Sequence, residues 1–265
     1  MSAELLINVT PSESRVALIE NGILQEIHVE RHTKRGLVGN IYRGKVSRVL
    51  PGMQAAFVDI GLEKAAFLHA SDIVIHNEIA EEVSASHIQK QDIRELVRDG
   101  QDIVVQVVKD PIGTKGARLT TDITIPSRYL VFMPSVTHVG VSQRIEEEAE
   151  RERLKSLVQE FCDENGGFIL RTAAEGVGKN ELQSDAAFLR RLWDKIQSRM
   201  KKRKSNVLYE DLPLARRVLR DFVGTELDRI RIDSKLSFNE LHHFTNRNLM
   251  FLPIHKVVYT QYQRK

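Results

Sequence analysis

An alternating stretch in the first third of the chain limits the possible fold more than any other feature. Residues 51–73 read PGMQAAFVDIGLEKAAFLHASDI, two short alternating runs on either side of a turn that contains a glycine. Successive side chains of a strand point to opposite faces, so small and aliphatic residues here share one face. The other face carries Phe57 beside Asp59 and, after the turn, Phe67 beside His69. The pattern predicts a β-hairpin with two large aromatic rings on its more polar side.

The hairpin lies within a longer strand-like region that predicts a small β-barrel. This region runs from residue 41 to about 122, with a helical interruption near 91–99 and a surface excursion at 74–90. One interpretation of the aromatic pair is that both rings pack under a loop or a neighbouring domain. The other is that they stack on single-stranded bases, as aromatic residues on the outer face of OB-type barrels do. Cations that could attract the phosphates lie nearby in the sequence: Arg43, Lys45, Arg48, Lys64, Lys109, Lys115 and Arg118.

Composition and charge narrow the class of protein. The chain has 265 residues and a net charge of +3, and it is 42% hydrophobic and 28% charged, which is typical of a soluble protein of one or two domains. Its single cysteine excludes an internal disulfide framework and a cysteine-rich zinc site. The N-terminus lacks a signal-peptide pattern, and no apolar run approaches the roughly 18 residues of a membrane span. We therefore expect a cytoplasmic protein without a membrane span.

Outside the barrel region the sequence predicts a mixture of strands and helices. Three strands open the chain, and Asn21-Gly22 between the second and third is typical of a tight hairpin turn. After the barrel come two strands, two long helices, a third helix, a further strand and a short helix beginning near Ser234. From residue 246 onwards we expect no regular element. The principal predicted bounds are 4–9, 14–20, 23–30, 128–134 and 138–145 for strands, and 146–164 and 181–203 for the long helices.

Several motifs resemble those of known families. GKVSRVLPGMQAAFVDIGLEKAAFLHASDI followed by GQDIVVQVVKDPIGTKGARLT resembles an S1 RNA-binding domain, a five-stranded OB barrel. The wider frame, from residue 1 to about 245, resembles the ribonuclease E/G family. The motifs that carry this resemblance are, in order, LINVTPSE, NIYRGKV, AAFVDIG, GTKGARLTT, RYLVFMP, GVSQRI and RTAAEGVG. The last motif and the absence of long insertions resemble the shorter member of that family.

The resemblance implies an α+β, multidomain fold. An incomplete RNase H-like subdomain is expected from residues 1–36 and 214–245, with an S1 (OB) RNA-binding domain inserted at 37–124. A 5′-monophosphate sensor of α/β build is expected at 125–213. The tail at 246–265 lies outside the resemblance, and we expect it to be aberrant, as after a frameshift.

Within the S1 domain the resemblance assigns the RNA contacts. It makes Phe57 and Phe67 the pair that stacks on RNA, which favours the second interpretation of the aromatic hairpin. Lys109 and Lys115 match basic S1 positions near the RNA path.

For the sensor, the resemblance implies contacts to a 5′-monophosphate from a side-chain pair and a backbone turn. The pair is Arg171 and Thr172, whose guanidinium and hydroxyl can both donate to one phosphate. The turn runs from Ser127 to Val131. Ser127 stands where the ribonuclease E form has glycine, so we expect the backbone to approach the phosphate differently.

The catalytic parts of the family are expected outside this chain. The family cuts RNA with two aspartates that hold Mg²⁺, and a zinc link and an oligomerising domain follow them. We expect no catalytic and no metal-binding residue here. Three acids, Glu226, Asp228 and Asp233, lie on or near one expected RNase H-like strand. An RNase H active site needs carboxylates that converge from several strands, and the first three strands supply few acids at central positions.

The resemblance therefore implies an N-terminal fragment of a single-strand endoribonuclease of rRNA processing and mRNA turnover. Such a fragment binds single-stranded RNA, preferentially with a 5′-monophosphate, and senses the 5′ end. The family is homo-oligomeric and depends on magnesium. Two alternatives remain open: a catalytically dead RNA-binding module, and a non-functional truncated product.

Overall fold

The computed structural model describes residues 2–74, 92–163, 166–202, 205–222, 227–248 and 257–260. The predicted surface excursion at 74–90 lies almost wholly outside these residues. The chain separates into two compact units. The first contains Met1–Gly36 and Leu212–Lys265, and the second contains Leu37–Asp211.

Strands dominate the described chain. In order they are β1 (Ala3–Val9), β2 (Glu13–Glu20), β3 (Ile23–Arg31), β4 (Ile41–Leu50), β5 (Ala55–Asp59), β6 (Ala66–His69), β7 (Asp102–Lys109), β8 (Arg118–Thr120), β9 (Ile125–Pro126), β10 (Leu130–Met133), β11 (Val139–Val141), β12 (Gly167–Leu170), β13 (Val207–Tyr209), β14 (Leu227–Ile232) and β15 (Val257–Tyr259). The α-helices are α1 (Ile93–Leu96), α2 (Glu148–Gln159), α3 (Lys179–Lys202), α4 (Leu214–Phe222) and α5 (Lys235–Asn248). This composition confirms the predicted α+β class.

The first unit is built on a mixed sheet of order β15-β14-β1-β2-β3. β1 is antiparallel to β2 and parallel to β14. The predicted tight turn joins β2 to β3, with Asn21 at φ 50° and Gly22 at φ 79°, the left-handed region that these two residue types tolerate. Alternation along β1 and β2 directs one set of aliphatic side chains into a core shared with α4 and α5. The members contributed by β1 and β2 are Leu5, Ile7, Val16 and Leu18.

The last strand of this sheet corrects the expectation for the end of the chain. β15 pairs in parallel with β14, and Val257 is buried opposite Ile230. The expectation of no regular element after residue 246 is therefore wrong. A parallel edge strand of three residues has no adjacent hairpin turn and too short a period to recognise, so only its tertiary pairing defines it.

The second unit contains the predicted barrel. Strands β4-β5-β6-β8-β7 follow one another, and β7 pairs back to β4 and closes the barrel. β13 adds a further strand at the outer end of β4. Gly116 allows the chain to enter β8 closely against the hairpin, because a Cβ there would lie 1.9 Å from the carbonyl oxygen of Ala65. The OB-type barrel expected from the sequence is confirmed.

The helical interruption of the barrel is shorter than predicted. α1 covers only Ile93–Leu96, and Asp92 caps it by accepting the amide of Arg94 at 2.9 Å. The helix ends at Val97, whose backbone is extended at φ −144° and ψ 153°, and two features fix the chain that follows. Asp99 accepts the amide of Val49 at 2.7 Å, and Gly100 has a φ of 80°, which no helix continues.

The rest of the second unit is a four-stranded sheet with two long helices. Its order is β11-β12-β10-β9, and α2 and α3 pack against it around Phe132, Phe168 and Leu189. Strands β10 and β11 and helix α2 are shorter than the predicted segments, whereas α3 matches its prediction within two residues at each end. Within the described ranges, none of the helices is both long and apolar enough to cross a membrane.

Candidate RNA-binding surface and phosphate-binding turn

Five side chains form one row across the outer face of the barrel. The strand register pairs Arg48 with Phe57, Phe57 with Phe67, Phe67 with Arg118, and Arg118 with Lys109. Directly paired residues on neighbouring strands lie on the same face, with Cβ atoms roughly 4.5–5.5 Å apart. The row therefore passes from one cation through two aromatic rings to two further cations. We call these five residues the barrel row.

The two rings at the centre of the row keep part of their surface in solvent. Their strand neighbours Val58 and Leu68 are fully buried in the barrel, whereas Phe57 and Phe67 are half-buried. The ring centroids are 6.2 Å apart at an interplanar angle of 69°, a favourable edge-to-face arrangement. The alternation in the sequence predicted these faces correctly. Half-exposed rings flanked by cations are the arrangement on which single-stranded bases stack.

Arg118 is fixed in the row by a carboxylate from the turn after β6. Its Nε and Nη2 donate to the two carboxylate oxygens of Asp72 at 2.9 and 3.2 Å. The same hydrogen bonds raise the pKa of Arg118 above its ordinary value. The hydroxyl of Thr120 donates to the backbone carbonyl of Asp72 at 2.9 Å. The guanidinium therefore sits beside Phe67 in a set orientation and stays charged.

The other predicted cations are distributed differently. Lys109 is exposed in the row, but Lys115 lies outside it, on the turn where Ile112 bridges to Lys115. Lys64 donates to the carbonyl of Gly113 in that turn at 2.5 Å. Arg43 donates through Nη2 to the carbonyl oxygen of Met200, near the C-terminal end of α3. Arg43 therefore acts in part as a cap of α3, a contact that sequence proximity did not reveal.

The predicted phosphate-binding turn is held by a buried carboxylate. The amide of Ser127 donates to the carbonyl of Leu130 at 2.8 Å, which closes a turn between β9 and β10. Asp185 of α3 accepts the Ser127 hydroxyl at 2.5 Å and the amides of Tyr129 and Leu130 at 3.0 Å each. Burial raises the pKa of Asp185, and these hydrogen bonds oppose the rise. The Ser127 side chain thus supports the turn from inside.

Arg171 reaches the same turn from β12. Its Nη1 donates to the carbonyl of Ser127 at 2.6 Å and lies 3.4 Å from that of Arg128, and its amide donates to the carbonyl of Tyr129 at 2.8 Å. Thr172 follows as the exposed first residue of a short 3₁₀ helix. Val131 is half-buried in β10 and pairs with β9 and β12. The structure brings together the residues that the sequence named for this site.

The loop after Arg171 is clamped by α2. The Glu150 carboxylate accepts hydrogen bonds from Nε and Nη2 of Arg153 at 2.6 and 2.7 Å. It also accepts one from the amide of Gly176 at 2.8 Å. Arg153 also donates to the carbonyl of Val177 at 3.1 Å. The pKa of Glu150 is lowered to about 2, first by the hydrogen bond from Arg153 and then by that from Gly176. The clamp holds the RTAAEGVG segment against α2.

Sequence reasoning missed three residues of this region. Asp185 carries a usable signal, because it is a polar residue on the same helical face as the buried Leu182 and Leu189. Glu150 is one of several acids at the start of α2 and has no distinguishing signal. Arg128 is 6% exposed, and its guanidinium carbon lies 4.7 Å from the centroid of the Tyr129 ring.

No metal-binding group is found within the described part of the chain. No three His, Cys, Asp or Glu side chains gather there closely enough to hold a metal ion. Asp228 accepts the amide of Ala3 at 3.0 Å, and Asp233 accepts that of Val9 at 2.9 Å. Five residues of extended strand, about 16 Å, separate these two carboxylates, so they do not converge. Glu226 lies outside the described residues.

Two family models match the chain. The model of the S1 RNA binding domain matches residues 37–118, which include the barrel row. The model of the ribonuclease E/G family matches residues 124–264, which include the predicted phosphate-binding turn. The second match continues well past residue 245, where we expected the resemblance to end.

Curated relatives agree with these models. Ribonuclease G of Escherichia coli strain K12 is 67% identical over 247 residues, which cover 93% of this chain and 50% of the relative. Ribonuclease G of Haemophilus influenzae is 61% identical over 260 residues, covering 98% and 53%. Ribonuclease E of Nostoc is 36% identical over 230 residues, covering 86% and 32%.

The higher identities belong to ribonuclease G, which confirms the resemblance to the shorter member of the family. The chain spans about half the length of the ribonuclease G relatives that it matches. The family model alone covers more than half of this chain. The chain belongs to the ribonuclease E/G family.

Proposed function

We propose that this chain is the RNA-recognition part of a ribonuclease G-type single-strand endoribonuclease. The observation that carries the proposal is the barrel row, in which Phe57 and Phe67 lie side by side between cations. Stacking one base on an aromatic ring contributes roughly 1–3 kcal/mol and tolerates any base. Arg48, Arg118 and Lys109 supply charge for the phosphates on either side of the rings. A single-stranded nucleic acid presents unpaired bases and phosphates together, and the S1 match and the relatives named ribonuclease G favour RNA as that ligand.

The second element of the proposal is recognition of a 5′-monophosphate at the turn from Ser127 to Val131. Arg171 reaches this turn, Asp185 holds the turn from behind, and Glu150 holds the loop that follows Arg171 and Thr172. Preorganised donors favour binding because little ordering remains for the ligand to impose. A 5′-monophosphate gives the guanidinium a dianionic partner that a 5′-hydroxyl does not offer. RNA with a 5′-monophosphate is therefore the preferred ligand.

For the whole enzyme we propose hydrolysis of RNA phosphodiesters in the bacterial cytoplasm, in rRNA processing and mRNA turnover, by a homo-oligomer that uses Mg²⁺. Support comes from the relatives named ribonuclease G. The described residues of this chain do not fit a magnesium site. We therefore assign no hydrolytic step to them.

A second candidate function is RNA binding without cleavage by this chain. The observation that favours it is the separation of Asp228 and Asp233, each of which accepts a backbone amide of the neighbouring strand segment. Carboxylates engaged in this way support the sheet. They do not form a pair that could hold a metal ion.

Binding and cleavage can be tested together on matched RNAs. A fluorescent single-stranded RNA with a 5′-monophosphate and its 5′-hydroxyl twin are titrated with the chain in the presence of Mg²⁺, and the RNA is then analysed for cuts. We expect tighter binding of the monophosphate form and no cleavage. Cleavage that a chelator abolishes would refute the second candidate function and place a catalytic site in this chain.

Two variants test whether RNA binds at the barrel row. Phe57→Ala is expected to weaken binding of both RNAs, whereas Leu236→Ala, at a 71% exposed apolar residue of the first unit, is expected to leave it unchanged. Equal binding by wild type and Phe57→Ala would contradict the proposal that the barrel row is the RNA site.

A further inference from the structure

The phosphate-binding turn contains a buried cation that the proposed contacts do not use. Arg128 is 6% exposed, and its Nε and Nη1 are sealed from solvent. Neither nitrogen has a hydrogen-bond acceptor among the residues that the structure describes. Buried guanidinium nitrogens are almost always paired, so each exception requires an explanation. Arg128 lies between Ser127 and Tyr129, at the centre of the turn.

The acid that supports the turn, Asp185, does not provide the missing partner. Asp185 already accepts three hydrogen bonds, from the Ser127 hydroxyl and the amides of Tyr129 and Leu130. It acts on Arg128 through its charge, without a hydrogen bond. Burial lowers the pKa of Arg128, because a desolvated cation without a hydrogen-bonded anion is destabilised. The guanidinium instead rests against the ring of Tyr129, with its carbon 4.7 Å from the ring centroid.

Arg171 is arranged in the opposite way. Its Nη1 donates at 2.6 Å to the carbonyl of Ser127, so part of its donor capacity already holds the backbone. The two arginines therefore lie at one turn and differ in how many of their hydrogen-bond donors are used. Arg171 fixes the shape of the turn, and Arg128 carries unused donors within it.

We propose that Arg128 is a further recognition residue of the sensor, and that its guanidinium donates to the phosphate group at the 5′ end of the bound RNA. This inference rests on the proposed function of the turn as a 5′-monophosphate site. The ligand class is a terminal phosphate monoester, which offers several acceptor oxygens to a planar fork of donors. This contact requires the guanidinium to turn from the Tyr129 ring towards the ligand.

The first test compares the preference for a 5′-monophosphate among variants of the full chain. The ratio of affinities for the 5′-monophosphate RNA and its 5′-hydroxyl twin is measured for wild type, Arg128→Gln, Arg128→Lys and Arg171→Gln. Arg191→Gln, at an exposed arginine of α3, is the matched control. We expect Arg128→Gln to lower the ratio about tenfold, as for loss of a charge-assisted hydrogen bond. We expect Arg128→Lys to recover part of it, and Arg191→Gln to leave the affinities for both RNAs within about twofold of wild type.

A second measurement keeps the inference testable if Arg128→Gln folds poorly. The Nε–H groups of the arginines are observed by ¹⁵N NMR in the wild-type chain, and the Arg128 signal is assigned by its loss in Arg128→Lys. Adenosine 5′-monophosphate is expected to shift this signal. Adenosine at the same concentration is expected to leave it in place.

The outcomes separate this inference from the proposed function. Loss of the preference in Arg171→Gln together with an unchanged ratio in Arg128→Gln would overturn the role of Arg128 and leave the sensor intact. An unmoved Arg128 signal with adenosine 5′-monophosphate would overturn it as well. A wild-type chain that binds both RNAs equally would overturn the sensor, and the inference with it.

Discussion

The barrel row and the proposed phosphate-binding turn are held in place in different ways. The row consists of half-exposed or exposed side chains on five neighbouring strands; sheet register aligns them, and only Arg118 is also described as held by a carboxylate, that of Asp72. The turn is held from behind by buried groups, chiefly Asp185, which is at least 55 residues away in sequence from each residue it supports. A surface of the first kind tolerates change one side chain at a time. A site of the second kind depends on a network, because a buried donor left without its partner destabilises the fold.

The largest effect that this contrast predicts is the loss of Asp185. Asp185→Ala leaves one hydroxyl and two amides without their acceptor, each costing about 1–3 kcal/mol. We expect the free energy of unfolding to fall by about 3 kcal/mol or more, measured by urea denaturation. Asp194→Ala, at an exposed acid of the same helix, serves as the control. If Asp185→Ala lowers the free energy of unfolding no more than Asp194→Ala does, the turn does not depend on a buried hydrogen-bond network.

The next effect concerns binding rather than stability. Phe67→Ala is expected to weaken single-stranded RNA binding by about 1–3 kcal/mol, since one stacking ring is lost. The free energy of unfolding should fall much less than in Asp185→Ala, because Phe67 is only half-buried. Fluorescence anisotropy with a labelled RNA and a urea titration of the same sample measure the two quantities. A large loss of stability with unchanged binding would show that the ring is a packing residue.

An intermediate effect depends on pH. The pKa of Glu150 is lowered from 4.5 to about 2, so the unfolded chain binds this proton more readily than the folded chain. The stabilisation by Glu150 is therefore complete above pH 4.5 and is lost as the pH falls towards 2. Glu150→Gln lacks it at every pH. We expect wild type to be more stable than Glu150→Gln at pH 7, and the difference in stability to shrink between pH 4.5 and 2. Thermal unfolding of both proteins across this pH range measures the difference. A difference that does not depend on pH would contradict the clamp.

The smallest effect belongs to a single exposed cation of the barrel row. Lys109→Ala is expected to change affinity slightly and to reduce the slope of log affinity against log salt by about 0.7, the value for one phosphate of a single strand. Lys195→Ala, at an exposed lysine of α3, should leave the slope unchanged. Titrations at four or more salt concentrations give both slopes. Equal slopes for wild type and Lys109→Ala would exclude Lys109 from the phosphate path.

The sequence predicted the row far better than the turn, and the reason is physical. Alternation with a period of two assigns faces directly, so the placement of Phe57 and Phe67 followed from their immediate neighbours. The Asn21-Gly22 hairpin followed from the turn preference of these two residue types, and the barrel from a long strand-like region. The support by Asp185 and the unpaired donors of Arg128 depend on which helix packs behind the turn, and no local pattern contains that information. The strand β15 was missed for the same reason.

The pairing of β13 with β4 shows that the folded barrel extends beyond the residues that match the S1 domain. The S1 match ends at residue 118, yet β13 joins this barrel by pairing with Ile41 and Tyr42 of β4. Ile41 itself is buried in the core that contains Leu208 of β13. A fragment excised at the limits of the S1 match would bare this strand edge and one apolar side chain, and exposed strand edges recruit other chains. A fragment meant to keep this S1 domain folded on its own therefore needs β13 in addition to the residues of the S1 match.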